Sequence, residues 1–228
     1  MFRVVAEEKE VEIVIQKSRF IAATRPVEDE KEAQHFIRER KKTYWDATHN
    51  TSAYVASAEK TSVPLDGPYI QKADDDGEPQ GTAGRPILEV IKAKGLIQTV
   101  IVVTRYFGGI KLGAGGLVRA YSAAAARVIE ASGIRVYVPV VNVRVVVPYA
   151  LYETFTYQLE HANIHIIERE FTEEVTLTLA VPKEEEPEFW QTMQSIFAGD
   201  VRAHRLQETY EALHIIYEKD GESSAFED

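Results

Sequence analysis

The chain reads as an α+β protein of two domains, and three observations predict it. Its 228 residues, 45% of them apolar, are enough to build two separate cores. Segments of strand-like and helix-like hydrophobic spacing alternate along the whole length. Charge also divides the chain: residues 1–137 hold 20 Lys and Arg against 18 Asp and Glu, and residues 138–228 hold 6 against 18. A balance of +2 followed by one of −12 is that of two modules with different surfaces. The expected division is a domain over 1–137, a second over 138–218 and a polar tail over 219–228.

Val11–Ile15 and Arg19–Thr24, separated by a polar break at Gln16–Ser18, read as a β-hairpin. Asp29–Lys42 has helical spacing, with Ala33, Phe36, Ile37 and Arg40 on one face and its acids early, where the helix dipole favours them. Thr51–Ala58 is strand-like, Lys60–Pro68 is a loop, and Tyr69–Ala73 is a short strand entering an acidic stretch. A helix follows Gly81-Thr82-Ala83-Gly84, with Thr82 as candidate cap, Pro86 in a first turn that needs no donor, and Gly95 as the stop. Thr99–Phe107 is β-branched and continuously apolar, the signature of a central strand covered on both faces. Leu117–Glu130 is a helix whose Ala123–Ala126 run lets it lie close on a sheet.

Beyond Gly133, Arg135–Val138 and Pro139 read as a bridge. Then come strand Val140–Val147, helix Tyr149–His161, strands Ile164–Arg169 and Val175–Val181, helix Pro187–Phe197 and strand Leu213–Tyr217. The order β-α-β-β-α-β is that of the ferredoxin-like split βαβ.

Composition closes several doors. There is no Cys, hence no disulfide framework, zinc ribbon or thiol nucleophile. The first residues carry acids and no unbroken apolar core, unlike a signal peptide, and no apolar run is long enough to span a bilayer. The expectation is a cytoplasmic protein with no membrane partner.

Two loops hold the candidate chemistry. Five of the 13 glycines fall in Gly108–Gly116, between a strand and a helix, so backbone N–H groups and the positive end of a helix dipole are offered to an anion. Arg85, Arg105, Lys111 and Arg119 flank Gly108, Gly109, Gly113, Gly115 and Gly116, and these nine residues are the candidate phosphate site. The segment is not a Walker loop, because its Lys precedes the glycines and no Ser or Thr follows to hold Mg²⁺. The blander reading is a tight crossover with solvated cations at its rim. In the acidic loop Asp75, Asp76 and Glu78 are candidate ligands for Mg²⁺, the one cofactor considered. The alternatives are a solvated turn, or acids that pair with nearby Arg and Lys and shape the site. The calcium-loop register fails, with Lys72 at its first ligand position and Ala83 at its last. Asp46, His49 and Asn50 read as one polar cluster. Tyr44, Trp45, Tyr54, Tyr69, Tyr106 and Phe107 are candidates for base stacking where exposed, though most are expected in the core. No nucleophile–base–acid set can be assembled, so no catalytic residue is assigned.

KSRFIA (17–22), YWDATHN (44–50), DDGEPQGTAGRPIL (75–88) and VVTRYFGGIKLGAGGLVRAYSAA (102–124) resemble the IMPACT/YigZ family, in its bacterial two-domain branch. The resemblance implies an N-terminal domain like the second domain of small-subunit ribosomal protein S-five and elongation factor G domain IV. It implies a C-terminal domain like elongation factor G domain V. It also implies a translation-linked protein that binds RNA or the ribosome, with no enzymatic activity as a family trait. Two other functions fit the residues: an enzyme acting on a phosphorylated small molecule or nucleotide, and an adaptor whose acidic C-terminal domain docks a basic protein.

Overall fold

The computed structural model describes residues 1–60, 68–162 and 164–217, and these fall into two units. Phe2–Val136 belongs to the first, joined by the described residues from 214 on; Tyr137–Leu213 forms the second. The expected loop at Lys60–Pro68 and the tail at 219–228 lie almost wholly outside the described residues.

In the first unit a five-stranded sheet of order β2-β3-β6-β4-β5 is built from β2 (Lys9–Ile15), β3 (Ser18–Pro26), β4 (His49–Ser57), β5 (Tyr69–Asp74) and β6 (Thr99–Tyr106). Every pairing in it is antiparallel. Ile15 pairs with Ser18, so β2 and β3 are joined by Gln16 and Lys17 alone. Both have positive φ, 45° and 65°, the geometry a two-residue hairpin requires. β1 (Phe2–Val5), not foreseen, bridges in parallel to Leu96 through Arg3.

β6 is covered on both faces, as its composition demands. Ile101 and Val103 pack under α2 (Gly84–Ala93) and α3 (Gly113–Ser132), whereas Val100 and Val102 face α1 (Glu30–Thr43) with Ala33 and Phe36. On α3, Leu117, Ala120, Tyr121, Ala124, Ala125, Val128 and Ile129 are buried, the 3-and-4 spacing of one helical face. Asp29 caps α1 by accepting the Glu32 N–H at 2.8 Å.

The second unit has the expected element order: β7 (Ile134–Val147), α4 (Tyr149–His161), β8 (His165–Phe171), β9 (Val175–Pro182), α5 (Glu186–Ile196) and β10 (Ala203–Ile216). Its strands run β10-β7-β9-β8, the ferredoxin-like order, and β1 also pairs with β7, so the sheet has five strands. Two boundaries differ from expectation. The bridge at 135–139 is part of one continuous β7; Pro139 lacks a donor, but its carbonyl still accepts the Lys183 N–H at 3.0 Å. β10 starts ten residues before Leu213, because its first half is largely exposed and held by ion pairs such as Arg205–Glu186 rather than by an apolar face.

Gly108 shows why the crossover after β6 needs glycine. A Cβ there would lie 2.0 Å from the Lys17 carbonyl carbon, a backbone atom that cannot step aside. Gly108→Ala is therefore expected to cost about 3 kcal/mol or more, by overpacking against fixed backbone. Gly109→Ala, at φ 85° in open space, should cost only about 1–2 kcal/mol of backbone strain. Urea unfolding of both variants checks this; equal losses would contradict it.

Candidate nucleic-acid interface

Phe20, Arg105 and His49 are direct partners across β3, β6 and β4, so their side chains leave the same face of the sheet. Arg105 is 5% exposed, with its guanidinium 5.4 Å from the Phe20 ring centre and 5.5 Å from that of Phe107. Its Nη1 donates to Glu78 Oε1 at 2.6 Å and its Nη2 to Ser18 Oγ at 3.3 Å. The Tyr121 hydroxyl donates to the same Glu78 oxygen at 2.7 Å. Burial first, and then the Glu78 carboxylate, push the Tyr121 phenol far above its ordinary range, so it stays a neutral donor. A glutamate from the acidic loop, an arginine from the central strand and a tyrosine from α3 thus form one buried polar knot.

Each acid of that loop has an internal task. Asp75 accepts the N–H groups of Gly81 (2.7 Å), Ala83 (3.0 Å) and Gly84 (2.8 Å), which closes the start of α2. This corrects the expectation for Thr82, whose hydroxyl turns to the Pro79 carbonyl at 2.6 Å. Asp76 accepts from Lys41 Nζ (2.7 Å) and the Asn50 N–H (2.6 Å), and its own carbonyl lies 2.9 Å from His49 Nδ1. A carbonyl can only accept, so Nδ1 carries the proton and Nε2 points to Glu78 Oε2, 3.8 Å away. Asp46 is not part of this cluster; it accepts the Tyr106 hydroxyl at 2.8 Å, and Asp76 takes the role expected of it. Among the described residues, no three His, Cys, Asp or Glu are grouped to hold a metal ion. Asp75, Asp76 and Glu78 use their oxygens on N–H groups, Lys41, Arg105 and Tyr121 instead.

The glycine segment differs from its sequence reading in two ways. α3 begins at Gly113 rather than Leu117, so Gly115 and Gly116 stand in its first turn. Arg105 is not a surface cation but the buried half of the Glu78 pair, because it occupies the last buried position of β6. Arg85, Lys111 and Arg119 are exposed and have no ion-pair partner among the described residues. The starts of α2 and α3 are chemically opposite: α2 is filled by Asp75, whereas α3 has no side-chain cap and no acid in its first turn. Ser18, Lys41 and Tyr121 were missed. Tyr121 was detectable as the one large polar side chain on the alanine face of α3, four residues after Leu117.

The loops meet at one end of the sheet. The Thr48 N–H donates to the Arg105 carbonyl at 2.9 Å, the Phe107 N–H to Thr48 Oγ at 3.0 Å, and the Gly108 N–H to Ser18 Oγ at 3.2 Å. The hairpin turn, the 44–48 turn, the acidic loop and the glycine segment are therefore one braced surface.

An α+β domain with a basic, glycine-rich end surface, followed by a ferredoxin-like domain, defines a two-domain architecture of known kind. Residues 16–129 match the Impact N-terminal domain, half of the chain, and residues 145–200 match a domain of unknown function, DUF1949. The chain belongs to the IMPACT family. It is 59% identical over 117 residues to IMPACT family member YvyE of Bacillus subtilis (strain 168), covering 51% of this chain and 50% of YvyE. To IMPACT family member YigZ of Escherichia coli (strain K12) it is 41% identical over 107 residues, 47% of this chain and 50% of YigZ. The chain thus spans about half the length of the curated relatives it matches. A solved structure described as "Crystal structure of an hypothetical protein" superposes with a TM-score of 0.54 at 26% identity, over 90% of this chain and 97% of the other. Among the described residues no helix is long and apolar enough to cross a membrane.

Two outcomes test the knot. Glu78→Gln should lower stability by about 3–5 kcal/mol, since Arg105 is left buried and uncompensated. Glu78→Leu combined with Arg105→Met should recover most of that loss in urea unfolding. No loss in the single variant would contradict the account. Asp76 gives a pH signature. Burial alone would raise its carboxyl, but Lys41 and the Asn50 N–H outweigh burial and hold it below the usual 3.8. A lowered folded-state value adds stability that is complete above 3.8 and is lost as pH falls through the folded value. Asp76→Asn should therefore be less stable than the parent at neutral pH, and the gap should narrow as pH falls below the usual 3.8 and through the lowered folded-state value.

Proposed function

We propose that this protein binds RNA, free or on the ribosome, through the start of α3, and modulates translation. The observation that carries the reading is Gly115. It is exposed in the first turn of a helix, where glycine costs up to about 1 kcal/mol relative to alanine, yet a Cβ would meet nothing closer than an Arg119 nitrogen at 3.6 Å. Packing inside the chain gives no reason for it; the close approach of an external group does. The N–H groups of that turn have no side-chain cap, and the exposed Lys111 and Arg119 flank it. Those are the parts of a phosphate site. Membership in the IMPACT family supports the link to translation.

Gly115→Ala should raise stability by up to about 1 kcal/mol while weakening RNA binding. Lys111→Ala and Arg119→Ala should each flatten the dependence of log affinity on log salt by about 0.7, one single-strand phosphate apiece. Filter binding at several salt concentrations reads both effects. Binding indifferent to salt, or undiminished in all three variants, would sink the proposal.

A cavity in the second unit favours a second reading, an adaptor. Between α4 and α5 lies a cavity of about 280 Å³, floored by Phe155, Leu159, Phe189 and Met193. Glu185 and Glu188 stand at its rim, exposed and without an ion-pair partner among the described residues. That combination suits an apolar side chain flanked by Lys or Arg on a partner. A basic peptide with one aromatic residue should bind the full chain and lose affinity in Glu185→Gln/Glu188→Gln; equal affinity in the two proteins would refute it.

A further inference from the structure

Trp45 is 82% exposed, more than any other aromatic residue among the described ones. It is half of the chain's tryptophan content, and a large apolar ring left in water needs a partner or a reason. Its turn is not loosely attached. The Ala47 N–H closes it on the Tyr44 carbonyl at 3.1 Å, Asn50 Nδ2 donates to the same carbonyl at 3.0 Å, and Asp46 holds the Tyr106 hydroxyl. The indole is thus presented from a braced turn.

Phe107, 47% exposed, begins the glycine segment and is tied to that turn through Thr48. The Arg105 guanidinium lies 5.5 Å from its ring centre, so the ring is backed by a cation on the protein side. Lys17, Lys111 and Arg119, all exposed and without an ion-pair partner among the described residues, lie on the hairpin turn, the glycine segment and α3 respectively. Exposed rings interleaved with unpaired cations are the means by which proteins hold single strands: bases stack on the rings while phosphates meet the charges. In a duplex the bases stack on each other, and such rings meet none of them.

We infer that Trp45 and Phe107 form a stacking platform that selects unpaired nucleotides, so that the ligand is single-stranded RNA and not duplex. The inference rests on the RNA-binding reading above and narrows it. Phosphate contacts at α3 hold the backbone of either form; the two rings discriminate between them.

Fluorescence tests it, because Trp45 can be made the only reporter. Trp190 is half-buried and packs edge-on against Phe189, so Trp190→Phe removes the second signal with a ring of like kind. Titrating that variant of the full chain with an unstructured single-stranded RNA should quench Trp45 and bind at least about ten-fold more tightly than the matching duplex, the loss of one stacked base. Trp45→Ala should cut single-strand affinity about ten-fold and leave duplex binding unchanged, and Trp45→Phe should restore most of it. Equal affinity for both forms with no quenching overturns the platform and leaves the phosphate site standing. Failure of both RNAs to bind at low salt overturns the platform together with the reading beneath it.

Discussion

A carboxylate and a guanidinium buried side by side at the end of a sheet are costly to desolvate, and the N-terminal unit accepts that cost in the Glu78–Arg105 pair. The pair does more than neutralise two charges. Glu78 arrives on the acidic loop, Arg105 on the central strand β6, and Tyr121 adds α3 to the same oxygen. Through Ser18, Arg105 also reaches the hairpin turn where Gly108 is seated. Four segments far apart in sequence are locked by one set of hydrogen bonds, and what they present outward depends on that lock.

The acidic loop and the glycine segment are accordingly two parts of one construction with unlike roles. The acids look inward: Asp75 fills the start of α2, Asp76 holds Lys41 and Asn50, and Glu78 closes the knot. Their negative charge is spent within the fold. The glycines divide. Gly84 and Gly108 are required by backbone packed against them, Asp74 and Lys17 respectively. Gly115 has room for a side chain and lacks one. The contrast between an occupied helix start and an open one, a few residues from exposed Lys111 and Arg119, is what turns a tight crossover into a candidate binding surface.

Much of this was legible in the sequence where a pattern was local. The hairpin about Gln16–Ser18, the helix over Asp29–Lys42, the doubly covered β6 and helix Tyr149–His161 all follow from spacing within a dozen residues. Long-range partners were not legible. Nothing near Arg105 in the chain says that its charge is met by a residue 27 positions away, and nothing near His49 and Asn50 says that Asp76 replaces Asp46. Such pairings are decided by strand register, which a single sequence does not display. Cap chemistry failed for the same reason: Thr82 had the right residue type in the right place, but Asp75 reached the helix start first. The first part of β10 escaped because an exposed strand held by ion pairs has no apolar alternation to read.

The central claim is that RNA meets this chain on the end surface carrying Trp45 and the segment from Phe107 to Arg119. Photo-crosslinking of a single-stranded RNA containing 4-thiouridine to the full chain, followed by peptide mapping, tests it most directly. The account predicts adducts in the peptide that contains Trp45 and in those spanning 107–119. Adducts confined to residues beyond Tyr137, or none at low salt, would contradict it.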